Sequence, residues 1–233
     1  MKYSLVFLML AAACGMATAV AWDVVGWGAG VGLYAAFSFG LLAMAYALAG
    51  PRLLFKRPTG RRSIFGWVLL GPYFLLNSAS FGLYRLFSRE SAYVRVAPNL
   101  FFGRRLSARE ATATGWVNVL DLAGEFPAAR PWRVLPGYRS MPLLDATAPS
   151  EADMRSAVAW IAEAIGTGPV YVHCALGHGR SACVVIGYLL LAGEVATVAD
   201  GVRLLRSVRP AVRLHPAQAR LLRRLEPPPK SDG

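Results

Sequence analysis

The sequence is short of acids, cysteine and histidine. Its 233 residues hold 13 Asp and Glu against 25 Lys and Arg, three His and three Cys, for a formal charge of +12. Cys14, Cys174 and Cys183 are too few and too scattered for a disulfide framework or a zinc site, and they fit a domain kept reduced. A metal site from His173, Cys174 and His178 would lack a fourth ligand and the usual zinc spacing. There is no internal repeat and no long low-complexity linker. No nucleic-acid motif accompanies the basic charge, so nucleic acid is not expected as a partner.

Long apolar runs, by contrast, are plentiful. The apolar fraction is 55%, above the soluble average, and the excess sits before about residue 88. We therefore expect a membrane region over residues 1–90 and one soluble domain over 91–228, followed by a polar tail at 229–233. The stretches 4–21 and 24–49 have the length to cross a bilayer, with Trp22-Asp23 as a tight connection. Gly26, Gly28, Gly30 and Gly32 give small-residue spacing suited to close helix packing. Ala17-Thr18-Ala19 also resembles a signal-peptide cleavage site, which gives a second reading in which residues 1–19 are removed. Arg52, Lys56, Arg57, Arg61 and Arg62 crowd one loop between apolar stretches. That bias predicts a multi-pass membrane protein with this loop, and the domain after it, on the cytoplasmic side. The third stretch, 64–87, holds Pro72, Asn77, Ser78, Ser80 and Arg85, and both its flanks are basic. An interfacial or re-entrant segment is expected there, since a spanning segment would conflict with the orientation bias.

The remainder alternates strand and helix patterns. A hairpin is expected at Tyr93–Val96 and Asn99–Phe102, and a brief helix at Ser107–Ala113. Strands follow at Trp116–Leu122, Tyr138–Leu144 and Val170–His173. Helices are expected at Glu151–Ile165, capped by Ser150 and broken by Gly166–Gly168, at Ser181–Ala192, and over 195–207 and 216–225. The fold class is therefore α/β, a mostly parallel sheet flanked by helices. Ligands of such sheets bind beyond the carboxyl ends of strands, and the loop after Val170–His173 is at such an end.

That loop reads His173-Cys174-Ala175-Leu176-Gly177-His178-Gly179-Arg180-Ser181. A dianionic phosphate needs several donors converging on one point. Successive backbone N–H groups of a tight loop form such a nest, and a helix N-terminus adds positive potential. Arg180 offers two parallel donors to two phosphate oxygens, which lysine cannot. The same field favours a negatively charged sulfur at Cys174, the nucleophilic form. Ala175, Leu176, Gly177, His178 and Gly179 would supply the phosphate-binding amides. Ser181 can donate to the sulfur as it leaves.

This segment resembles the signature of the cysteine-dependent protein tyrosine and dual-specificity phosphatases: Cys, five residues, Arg, then Ser or Thr. The resemblance extends over residues 91–228 in order and length. It implies phosphomonoester hydrolysis through a cysteinyl-phosphate, with no cofactor and no metal, and a loop oriented by His173. It also implies a general acid after a strand and before the helix preceding the signature, which points to Asp145. Asp121 competes, and reads better as a turn acid; Asp153 reads as a helix-start residue. The short domain resembles the dual-specificity branch, so a phosphorylated protein is the expected substrate: phosphotyrosine, and also phosphoserine or phosphothreonine. The alternative is a phospholipid headgroup at the membrane. Against polyphosphoinositides, no lysine lies between Cys174 and Arg180, and His178 is the one other basic side chain there. A third reading is a phosphate-binding pseudophosphatase, which intact Cys174, Arg180 and Asp145 oppose. Cys183 reads as a small buried residue, or as a disulfide partner of Cys174. Arg203, Arg206, Arg209, Arg213, Arg220, Arg223 and Arg224 read as a solvated face or as contacts to anionic lipid.

Overall fold

The structure is a computed structural model that describes residues 2–226. The expected polar tail, 229–233, lies outside the described residues. The chain divides into two compact units, 1–57 with 61–88 and 124–127, and 58–60 with 89–123 and 128–233.

The first unit is built from three helices, α1 (Lys2–Val25), α2 (Ala29–Met44) and α3 (Ile64–Phe87). The stretches Lys2–Val24, Gly26–Leu54 and Ile64–Phe87 are each long and apolar enough to cross a membrane. Trp22 and Asp23 do not form the connection; they lie inside α1, and the chain turns at Gly26–Gly28. The reason is backbone freedom: Gly26 takes φ +56, a region costly for residues with a side chain. So Gly26 and Gly28 serve the turn, and Gly32 supplies the close packing. A Cβ on Gly32 would overlap Thr18 Oγ1 on α1.

α3 is helical apart from a kink at Leu70, where two helical segments meet. Pro72 has no N–H to give the Val68 carbonyl one turn back. Tyr34 Oη of α2 donates to that carbonyl at 2.6 Å. The other polar residues are satisfied within the helix: Asn77 Nδ2 donates to Tyr73 O at 3.1 Å and Ser78 Oγ to Phe74 O at 2.7 Å. Arg62 is likewise not a simple loop charge. It donates to Leu54 O at 2.6 Å and lies 3.4 Å from the Phe74 ring centre.

The second unit is an α/β layer structure with a five-stranded sheet of order β1-β2-β5-β3-β4. Its strands are β1 (Tyr93–Ala97), β2 (Leu100–Gly103), β3 (Asn118–Ala123), β4 (Gly137–Leu143) and β5 (Val170–His173). β1 runs antiparallel to β2, and the remaining pairings are parallel. Its helices are α4 (Ala108–Thr114), α5 (Glu151–Thr167), α6 (Arg180–Leu191), α7 (Val198–Val208) and α8 (Pro216–Leu225). α5 ends within the break expected at Gly166–Gly168, two residues later than Ile165, and Gly168, at φ 151, is the cap.

The period-two alternation of the strands sorts the core. Leu100, Phe102, Leu120, Leu122, Val170 and Val172 pack with α5, α6, α7 and α8 in one cluster. Val119 and Tyr171 point the other way, into a smaller cluster with Leu106, Ala111, Trp116 and Trp132. β5 is therefore buried on both faces and held between β2 and β3. Its carboxyl end, at His173, pairs with Gly103 of β2 and Asp121 of β3.

Candidate active site

β5 delivers His173 and Cys174, and α6 begins at Arg180. Between them the chain closes around the cysteine sulfur. Cys174 is 3% exposed; its Sγ accepts the Gly177 N–H at 3.3 Å and lies 3.5 Å from Ser181 Oγ. Gly177 must be glycine twice over. Its φ is +80, and a Cβ would overlap the Gly103 carbonyl carbon at the end of β2.

Four loop carbonyls are anchored outward. Cys174 O takes His173 Nδ1 at 3.2 Å, with the ring tautomer assigned from that contact. Ala175 O accepts the Arg105 N–H at 2.9 Å, and His178 O the Arg213 N–H at 3.0 Å. Leu176 O accepts from Arg209 Nη2 at 2.9 Å. A trans peptide points its carbonyl and the next N–H in opposite directions. Fixing these carbonyls outward turns the amides of Ala175, Leu176, Gly177 and Gly179 inward. The nest expected of the sequence is thus set by the loop's outer contacts.

Arg180 is 2% exposed and clamps the neighbouring strand end. Its Nη1 donates to Leu143 O at 2.9 Å, and its Nη2 pairs with Asp145 Oδ1 at 3.0 Å. Asp145 itself is largely exposed, on the turn after β4. Its neighbour Ala146 takes φ +58, a left-handed conformation that costs a non-glycine residue about 1 kcal/mol. So the structure brings Cys174, Arg180, Ser181 and Asp145 together, with His173 behind them. Asp121 is buried behind His173: its Oδ1 lies 3.7 Å from His173 Nε2, and its carboxylate accepts the Ala123 N–H and the Tyr138 hydroxyl. Burial first, and then that carboxylate, push the Tyr138 hydroxyl well above its ordinary pKa. Cys183 is fully buried, and burial pushes its thiol up to about 12, so it stays a protonated, unreactive packing group.

Two residues escaped the sequence reading. Arg209 was grouped with a solvated or lipid-facing arginine set, yet its side chain is 2% exposed. It ties Ser91 O, Leu176 O and the Glu90 carboxylate together. Glu90 Oε2 also meets His178 Nε2 at 2.7 Å. The phosphate loop is therefore braced by an acid from the start of the domain. The available signal was Pro210, which ends the helix and marks Arg209 as the last residue before a turn.

Comparison with known proteins agrees with this geometry. The family profile of the dual specificity phosphatase catalytic domain matches residues 133–227. Residues 133–227 thus match the catalytic domain of the dual-specificity phosphatases. The crystal structure of Tk-PTP in the active form is 25% identical, covering 58% of this chain and 96% of that one, at a TM-score of 0.52. PTPMT1 in complex with PI(5)P shares the fold, at 17% identity, 58% and 94% coverage and a TM-score of 0.50. Among curated proteins, the phosphatidylglycerophosphate phosphatase PTPMT2 of Arabidopsis thaliana is 42% identical over 76 residues, 32% of this chain. The match spans 33% of that relative's length.

Proposed function

We propose that the chain hydrolyses phosphomonoesters at a membrane through a cysteinyl-phosphate. The observation that carries this reading is the loop itself: the Gly177 amide points at the Cys174 sulfur, and Arg180 and Asp145 meet at its mouth, where an entering phosphate would take Asp145's place on Arg180 and free its carboxyl to carry a proton. The Cys174 thiolate attacks phosphorus in line, the phosphorus–oxygen bond breaks, and Asp145 gives its proton to the leaving oxygen. Water then attacks phosphorus, Asp145 takes the water proton, and the sulfur–phosphorus bond breaks as Ser181 donates to sulfur. Arg180 and the amides of Ala175, Leu176, Gly177, His178 and Gly179 hold the charge on the phosphoryl oxygens throughout.

For the substrate we favour a phospholipid monoester over the phosphoprotein expected from the dual-specificity resemblance. The 42% identity to a phosphatidylglycerophosphate phosphatase and three helices of spanning length support that choice. The protein-substrate reading rests on the family alone.

The test is hydrolysis of an aryl phosphate and of phosphatidylglycerophosphate by the full chain in detergent. Cys174→Ser should abolish both activities. Asp145→Asn should lower kcat by about a hundredfold or more, the usual worth of a general acid. Undiminished turnover by Cys174→Ser would refute the mechanism. Hydrolysis of phosphotyrosine peptides with no turnover of the lipid would restore the protein-substrate reading.

A further inference from the structure

A basic groove runs beside the Asp145 turn. One wall is Ala148 and Pro149; the other is the outer face of α8, with Ala217, Arg220, Arg223 and Arg224. Leu221 closes the floor. α8 is sharply two-faced: Leu221, Leu222 and Leu225 are buried, while the three arginines are exposed. Among the described residues no carboxylate pairs with these three. The acids nearest in sequence among the described residues are engaged elsewhere, Asp200 with Arg203 and Glu226 with the Val198 N–H.

The groove is coupled to the reaction centre by the chain. Gln218, fully buried on the first turn of α8, donates to Thr147 O at 2.9 Å. Ala148 is three residues from Asp145, so their Cα atoms lie within about 11 Å of one another. Asp145 in turn touches Arg180. A molecule with two anionic groups would have to reach from that wall to Cys174.

We propose that this groove is a second anion site that binds the headgroup phosphodiester of an anionic phospholipid while its terminal monoester lies at Cys174. The inference rests on the phosphatase reading above and extends it to how substrate is chosen. An apolar floor under a guanidinium rim matches the lipid's own layout, in which a charged diester adjoins a glycerol and its acyl chains. Guanidinium groups grip phosphate oxygens in pairs. The three spanning-length helices place such lipids within the chain's reach.

The experiment compares the full chain with R220A/R223A/R224A in neutral detergent micelles. The substrates are an aryl phosphate, which carries no second anion, and short-chain phosphatidylglycerophosphate. The triple variant should keep aryl phosphate kcat/KM within about twofold and raise the lipid KM by about tenfold, since each basic residue near an anionic lipid adds several-fold to binding. Salt should raise the lipid KM of the parent chain and have little effect on the variant. R220K/R223K/R224K should recover most of the lipid affinity. An unchanged lipid KM in the alanine variant overturns the proposal, and so does a loss confined to doubly phosphorylated peptides. If the alanine variant loses aryl phosphate activity as well, the parent's salt response decides: a lipid KM indifferent to salt also overturns it. Absence of aryl phosphate turnover in the parent chain would instead refute the underlying phosphatase reading.

Discussion

Arg209 buries a full charge at the point where the start of the second unit meets the phosphate loop. Replacing it by alanine leaves the Glu90 carboxylate without one partner and Leu176 O without its donor. Glu90 is 32% exposed, so truncating its partner costs about 1–3 kcal/mol. We expect Arg209→Ala to lower the denaturant midpoint and to reduce aryl phosphate kcat/KM by more than about tenfold, through a loop whose Leu176–Gly177 amide is no longer held inward. Unfolding curves and steady-state kinetics on one preparation check both. A stability loss with unchanged kinetics would separate Arg209 from the loop. The contrast with Arg180 explains what could be read in advance. Arg180 acts within seven residues of Cys174, so its role is local and the spacing exposes it. Arg209 acts through partners 118 and 33 residues away, and only folding brings those together. Nothing in a run of seven arginines distinguishes the buried one from its exposed neighbours, beyond the Pro that follows it.

The helices show a similar division between local and distant causes. Ser107 and Ser150 announce α4 and α5 because a cap is made within three residues of its helix. α3 is different, because the carbonyl that Pro72 leaves without an N–H is answered from α2. Pro72 and the polar residues after it argue for an irregular segment only while their partners are unknown. Tyr34→Phe should remove the donor to Val68 O and leave that carbonyl unsatisfied in an apolar setting. The expected cost is about 1 kcal/mol, read as a lower thermal midpoint of the full chain in detergent. Restoration of the midpoint by Pro72→Ala in the Tyr34→Phe background would confirm that the two residues answer one another, and no restoration would sever them. The same reasoning accounts for the misplaced turn between α1 and α2. Trp22-Asp23 is the most polar point of the region, yet reversal needs a permissive backbone, and Gly26 supplies it.

The whole chain joins an apolar unit to a basic catalytic one. The loop holding Arg52, Lys56, Arg57 and Arg61 sets the orientation expected of the molecule. Should α3 lie in the interface, as its basic flanks suggest, the second unit would share the cytoplasmic side expected of that loop. Protease added outside sealed vesicles of known orientation should then leave the domain intact, and cleavage from outside would mean that α3 crosses. The outward anchors of the phosphate loop carry a further consequence for how the molecule is made. Three of them, from Arg105, Arg209 and Arg213, enter from opposite sides in the sequence, and two follow the cysteine by more than thirty residues. During synthesis the apolar helices leave the ribosome first, the cysteine later, and the residues that shape its loop later still. On the membrane-phosphatase reading, the apolar helices are therefore made before the loop that would cut a phosphate is complete.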